Sequence, residues 1–338
     1  MTVEKCSGRA SRHSFGDCTP VFDHIAVWAE DTEATAKFLT NVMGWQRHPT
    51  VIRVSDEEKT TGGMIGTFFD APGLWIELIE PTTPGPGKDI LDALGDGALV
   101  EINFDLGDSY GLALEKLAGR GVEMLSMDGS PLKDGGTIDE GVFDGHEIQN
   151  PGQRIAYFPT SLTGGTTVEY YEVLPDDEGS LILERDRVWH GAVRPLGSPW
   201  INYVAIVTED ATHAASFFKN YMGLTDSPME NHPDGSRTIL IDANGADETK
   251  LFLKLIEPAR GSREAAILQN RGSGHLLEFG VVVDDMASFI KRAHSHGAKV
   301  HDRSGREIDG TGETTEAWIA PAASRGIPIR LQSRPIGY

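Results

Sequence analysis

Apolar and polar residues alternate in short runs along this chain, and four of the runs share one plan. In 22–28, Ile25 and Val27 take one face while His24, Ala26 and Trp28 take the other. In 99–106, Val100, Ile102, Phe104 and Leu106 face one way and Glu101, Asn103 and Asp105 the other. An aspartate stands seven residues after a marked position each time: Asp31 after His24, Asp108 after Glu101, Asp210 after Tyr203 and Asp285 after Glu278. Such aspartates predict helix N-caps, because a carboxylate accepts hydrogen bonds from the first free amides. Spaced apolar positions then predict helices over 32–43, 109–118, 211–222 and 286–296, stopped by Gly44, Gly119/Gly121, Gly223 and Gly297. Three further strand-like runs follow each helix, ending at 74–79, 166–173, 251–256 and 327–332. Each quarter therefore reads strand, helix, strand, strand, strand.

The quarters belong to an internal repeat. Trp75-Ile76-Glu77-Leu78-Ile79-Glu80-Pro81 recurs as Phe252-Leu253-Lys254-Leu255-Ile256-Glu257-Pro258, an offset of 177 residues that also carries Glu101 onto Glu278. Asp23-His24-Ile25-Ala26-Val27 matches Asn202-Tyr203-Val204-Ala205-Ile206 at an offset of 179. Two homologous halves follow, joined by a segment rich in Asp, Gly and Pro.

Composition narrows the classes of function. The 338 residues exceed one ordinary core, in keeping with two halves. A formal charge of -21 repels phosphate backbones and anionic membrane surfaces, so neither nucleic acid nor membrane is an expected partner. No apolar run approaches the ~20 residues of a membrane helix. The cysteines, Cys6 and Cys18, sit in a polar leader without a secretory apolar stretch, which points to a reducing cytoplasm. No glycine signature of a nucleotide-binding loop is present, so no organic cofactor is implied.

Strand alternation brings chemistry to one face. Trp75 shares a face with Glu77, and Thr167, Glu169 and Tyr171 share another. One imidazole, His24, and three carboxylates, Glu77, Glu101 and Glu169, thus point to one concave side. A solvated sheet face shows polar alternation too, but four matched positions are harder to assign to solvation alone. Carboxylates confined together repel unless a cation or protons compensate, and a divalent metal is the expected counter-charge.

The pattern resembles the vicinal oxygen chelate superfamily, which holds glyoxalase I, methylmalonyl-CoA epimerase, fosfomycin resistance proteins and extradiol dioxygenases. The resemblance rests on Asp-His-Ile-Ala-Val at 23–27, Ile-Glu-Leu-Ile-Glu-Pro at 76–81 and Gly-Gly-Thr-Thr-Val-Glu-Tyr-Tyr-Glu at 164–172. It implies an α+β fold of four βαβββ modules paired into two curved mixed-sheet half-barrel domains. The boundaries are a leader at 1–19, a domain at 20–175 with modules 20–96 and 97–175, a linker at 176–197, and a second domain at 198–338 with modules 198–273 and 274–338. By the resemblance, His24, Glu77, Glu101 and Glu169 hold a divalent ion and leave room for two substrate oxygens. Many members have histidine where Glu101 stands. The oxygen-rich set suits Mn, Mg, Zn, Co or Ni, and Fe enters with the dioxygenase alternative.

The second half offers Tyr203, Lys254, Glu278 and Arg330 at the equivalent positions. Lys and Arg carry no lone pair near neutral pH, so this set holds no metal; their charge replaces the metal's by neutralising Glu278. The second domain is thus expected to be a degenerate copy, which scaffolds, dimerises or closes over the first.

Three functions remain open. One is proton transfer by an isomerase, epimerase or lyase on a small hydroxy- or ketocarbonyl substrate, with a metal-stabilised enediolate, Glu169 or Glu77 as base and Tyr171 beside them. Trp28, Trp75, Asn103, His146 and Arg154 are the candidate pocket residues. The second is an Fe(II) extradiol dioxygenase, which needs two histidines and a carboxylate, with His48 and His146 as the spare imidazoles. The third is a non-catalytic small-molecule-binding protein. The stretch from Glu101 to Glu169 is 16 residues longer than that from Glu278 to Arg330, which makes 128–153 a candidate lid carrying Asp144, His146 and Arg154. His294, His296 and His301 straddle a helix end and are expected at the surface.

Overall fold

The computed structural model describes residues 20–54, 63–72, 74–106, 110–126, 129–132, 137–139, 142–144, 153–173, 198–243 and 251–337. The expected leader and linker, Asp108 and His146 lie outside these residues. The first half contains β1 (Val21–Trp28), β2 (Gln46–Val54), β3 (Met64–Ala71), β4 (Leu74–Pro81), β5 (Ala98–Asp105), β6 (Thr137–Asp139), β7 (Val142–Asp144), β8 (Gln153–Tyr157) and β9 (Val168–Val173). The second contains β10 (Trp200–Val207), β11 (Thr225–Asp226), β12 (Glu230–Asn231), β13 (Arg237–Asp242), β14 (Phe252–Glu257), β15 (His275–Val282), β16 (Val300–His301), β17 (Glu316–Ile319) and β18 (Ile329–Gln332).

Each half forms its own mixed sheet, in the orders β6-β8-β9-β5-β1-β4-β3-β2-β7 and β11-β13-β14-β10-β15-β18-β17-β16, with β12 on β13. In both, the first strand of one module pairs antiparallel with the first strand of the next, and each also pairs parallel with the last strand of its own module. The two curved mixed sheets of α+β modules match the expected fold class. Strands β6 and β7 stand at opposite edges of the first sheet although they are neighbours in sequence, so the two edges of this curved sheet lie near each other. The second half has no such pair among its described residues.

The capping aspartates behave as the spacing predicts. Asp31 accepts from the Ala34 amide, Asp210 from His213 and Asp285 from Ser288, at 2.9, 2.9 and 3.0 Å. Helix Thr32–Phe38 passes into a π turn over 39–43, and Ala211–Met222 and Met286–Ser295 follow their caps directly. Tyr110–Gly119 is the fourth helix of this kind. Two more helices, Pro86–Leu94 and Arg263–Arg271, interrupt the expected plan by leading from β4 to β5 and from β14 to β15. The first begins on Pro86, whose fixed φ suits the first turn, although its Pro-Gly context reads as a loop. The second fully buries none of its side chains and packs Ile267, half-buried, against the cluster of Tyr203, Phe252 and Leu277.

Helix-facing sides of both sheets share one apolar core. Phe158 stands edge-on to Tyr170 at 4.8 Å and to Phe217 of the other half at 4.9 Å, which joins the halves through aromatic packing. Two matched glycine contacts complete the junction: Gly97 lies against the 325–327 backbone, and Gly274 against Gly165 and Thr166. All of Gly97, Gly165, Gly274 and Gly326 have positive φ. Among the described residues no helix is long and apolar enough to cross a membrane.

Candidate metal centre

Register places the marked side chains in two adjacent rows on the concave face of the first sheet. One row runs Trp75, His24, Asn103, Glu169 across β4, β1, β5 and β9, and the next runs Glu77, Ala26, Glu101. Partners directly opposite in a ladder project to the same side, so the four proposed ligands surround Ala26, whose methyl leaves space between them. His24 Nε2 lies 3.4 Å from Glu77 Oε2, and its Nδ1 lies 3.0 Å from Asp23 Oδ2. Among the described residues no three His, Cys, Asp or Glu side chains already stand in ligating geometry.

Electrostatics reveal a shortage of positive charge. Burial, then the charges of Glu169 and Glu77, hold the Glu101 carboxyl well above the usual carboxylate range, with His24 opposing them. Burial by itself would lower His24, but hydrogen bonds and charge from Asp23 and Glu77 outweigh it and raise the imidazole to about 10. Without a metal, His24 is therefore the cation of the cluster. The donor set of one imidazole and three hard carboxylates, placed around the small Ala26 side chain, fits a divalent cation.

The remaining candidates divide by position. Trp75 joins the His24 row and meets His48 edge-on at 5.4 Å. Trp28 lies a row beyond Glu77 and Glu101, opposite Ile79 and Ala98, in an apolar cluster with Leu91. Asn103 is fully buried, and neither its Oδ1 nor its Nδ2 has a hydrogen-bond partner. Tyr171 packs against the His24 ring at 5.3 Å and donates its hydroxyl to Asp23 at 2.5 Å. Arg154 departs from its expected place: it is opposite Glu172 in the β8–β9 register, 3.4 Å away, on the face away from Glu169 and Tyr171. Asp23 escaped the sequence reading, since regular alternation assigns the neighbour of His24 to the helix side.

The second half fills matching rows differently: Phe252, Tyr203, Gly280, Arg330, then Lys254, Ala205, Glu278. Arg330 hydrogen-bonds Glu316 through Nε at 2.7 Å and through Nη2, and lies 3.5 Å from Glu278. Tyr203 donates to Glu278 at 3.2 Å, and Lys254 stands over the Tyr203 ring at 5.1 Å. Burial and the Arg330 charge lower Lys254. Arg330 and Tyr203 thus partner Glu278 directly, with the Lys254 charge nearby.

Each half is one sheet of two modules, and the concave face of the first gathers three carboxylates and one imidazole. The chain belongs to the Glyoxalase/Bleomycin resistance protein/Dioxygenase superfamily, whose family models match residues 21–138 and 202–314. Among solved structures, a triply substituted 4-hydroxymandelate synthase from Streptomyces coelicolor is similar over 95% of each chain, at 12% identity and a TM-score of 0.61. Methylmalonyl-CoA epimerase from Mycobacterium tuberculosis is 20% identical over 43% of this chain and 93% of its own, with a TM-score of 0.33. No curated protein matches the sequence.

Proposed function

We propose that the first half is a divalent-metal enzyme that moves a proton beside a carbonyl carbon, as an isomerase, epimerase or lyase on a small hydroxy- or ketocarbonyl substrate. The observation that carries this reading is the placement of His24, Glu77, Glu101 and Glu169 around Ala26 on one face, with His24 Nε2 3.4 Å from Glu77 Oε2. His24, Glu77, Glu101 and Glu169 would hold the ion. When bound, it supplies Lewis acidity to two neighbouring substrate oxygens. Glu169 is the candidate base that takes the proton from the adjacent carbon and returns it, with Glu77 as its counterpart across the cluster. Asn103, in the row between His24 and Glu169, offers its unpaired amide to a substrate oxygen. The Trp75 and Phe68 rings wall the His24 side.

An extradiol dioxygenase fits less well. It needs a second histidine in the cluster, and His48 on β2 is packed against Trp75 instead. Metal analysis and an assay panel test the proposal. Bound or restorable divalent metal with metal-dependent isomerisation, epimerisation or elimination supports it. A purified protein that binds no divalent metal refutes it, and oxygen uptake with catechols moves the dioxygenase ahead.

A further inference from the structure

Asp23 reaches the concave face through a backbone irregularity. Phe22 pairs with Phe104 and His24 with Asn103, so β1 advances two residues while β5 advances one, and Asp23 is the extra residue of a β-bulge. The bulge turns Asp23 to the side of His24. Its Oδ2 lies 3.0 Å from His24 Nδ1 and accepts the Tyr171 hydroxyl at 2.5 Å. Asp23, His24 and Tyr171 are all buried, at 8%, 8% and 3% exposure. An ionised carboxylate only accepts, so Nδ1 carries the proton in this contact and the opposite nitrogen, Nε2, is turned toward Glu77.

The second half supplies an internal control. Ile201 pairs with Val281 and Tyr203 with Gly280, so Asn202 is bulged just as Asp23 is. Asn202 Oδ1 accepts from Gln332 Nε2 at 3.0 Å and from the Ile336 amide at 2.6 Å. Gln332 follows Arg330 by two residues, as Tyr171 follows Glu169. The tie from bulge to last strand is thus common to both halves and is met by neutral groups where no histidine follows. What the first half adds is an anion against an imidazole.

We infer that Asp23, braced by Tyr171, is a positioning residue that keeps His24 protonated on Nδ1 and presents Nε2 to a divalent cation among Glu77, Glu101 and Glu169. Partners of this kind orient a ligating imidazole and raise its basicity. The inference rests on the proposed metal-site reading of His24, and the test separates the two. Asp23→Asn copies the amide used by the other half, and Tyr171→Phe removes the brace alone. In the metal-free protein, 15N-resolved proton spectra should show a protected His24 Nδ1–H resonance that Asp23→Asn abolishes. Calorimetric titration with Mn or Zn should show roughly 10–100-fold weaker binding in Asp23→Asn, and a smaller loss in Tyr171→Phe. An unchanged resonance and unchanged affinity in Asp23→Asn would overturn the inference. Should the parent bind no metal, the proposed function fails, while persistence or loss of the resonance still decides whether Asp23 positions His24. If Asp23→Asn does not fold, Tyr171→Phe decides: broadened Nδ1–H and weaker binding support the brace, and parental values of both overturn it.

Discussion

On β1, β4, β5 and β9 the concave rows read Trp75, His24, Asn103, Glu169 and Glu77, Ala26, Glu101; on β10, β14, β15 and β18 they read Phe252, Tyr203, Gly280, Arg330 and Lys254, Ala205, Glu278. The alanine at the centre and one glutamate are common to both. Around them, the first half gathers carboxylates and one imidazole, while the second replaces two carboxylate positions by Lys254 and Arg330. The backbone devices are also common: each first strand carries a bulge, at Asp23 and at Asn202, and each opens a junction glycine toward the other half. One scaffold therefore holds two opposite charge solutions. Glu278 has a cation built in, Arg330; among the described residues Glu101 stands near His24 and two further carboxylates. The difference teaches that the same backbone arrangement carries either an acidic or a cation-paired face, and that the side chains at these few positions decide which.

Effects on the shared scaffold should be the largest and nearly equal in the two halves. Gly97→Ala and Gly274→Ala each force a side chain into opposing backbone at positive φ, and each should cost about 2–5 kcal/mol by chemical denaturation. A large loss at one and none at the other would break the equivalence of the junctions. Next, Arg330→Ala leaves Glu278 and Glu316 without their cation. It should cost on the order of 2 kcal/mol, less than for a fully buried pair because Arg330 is 27% exposed.

Smaller, pH-dependent effects should separate the halves by sign. Burial opposes the rise of His24 to about 10, but Asp23 and Glu77 produce it, so the folded metal-free state holds this proton more tightly than the unfolded chain. Its contribution is complete below about 6.5 and is lost as pH rises toward 10. Burial and then Arg271 lower His275 to about 4, so its contribution is complete above about 6.5 and is lost as pH falls through 4. Melts of His24→Gln and His275→Gln across pH should flatten the alkaline and the acid limb respectively. The same limb affected by both variants would contradict the assignment.

Much of this comparison is legible in the chain. The 177-residue offset pairs Glu101 with Glu278 and Glu77 with Lys254; β4 and β14 pair with their first strands without a register shift, and the shifts on β5 and β15 fall just beside Glu101 and Glu278, so each of the four keeps the face that alternation assigns it. The aspartate caps are legible for a similar reason, being local contacts with the next few amides. Three features are not. Asp23 follows a bulge that no period-2 rule anticipates, although two consecutive polar residues before Ile25 are the signal it leaves. Arg263–Arg271 buries none of its side chains fully, and its short apolar run Ala265-Ala266-Ile267-Leu268 is too brief to show a helical period. The short edge strands β6 and β7 depend on pairing with β8 and β2, which are distant in sequence from each other.

Metal stoichiometry in three proteins, measured after purification and after reloading with a divalent ion, tests the central asymmetry most directly. The parent should hold one equivalent, Glu169→Ala should bind weakly and lose turnover, and Glu278→Ala should retain the parental metal content. Equal metal loss in the two variants would contradict the assignment of the site to the first half.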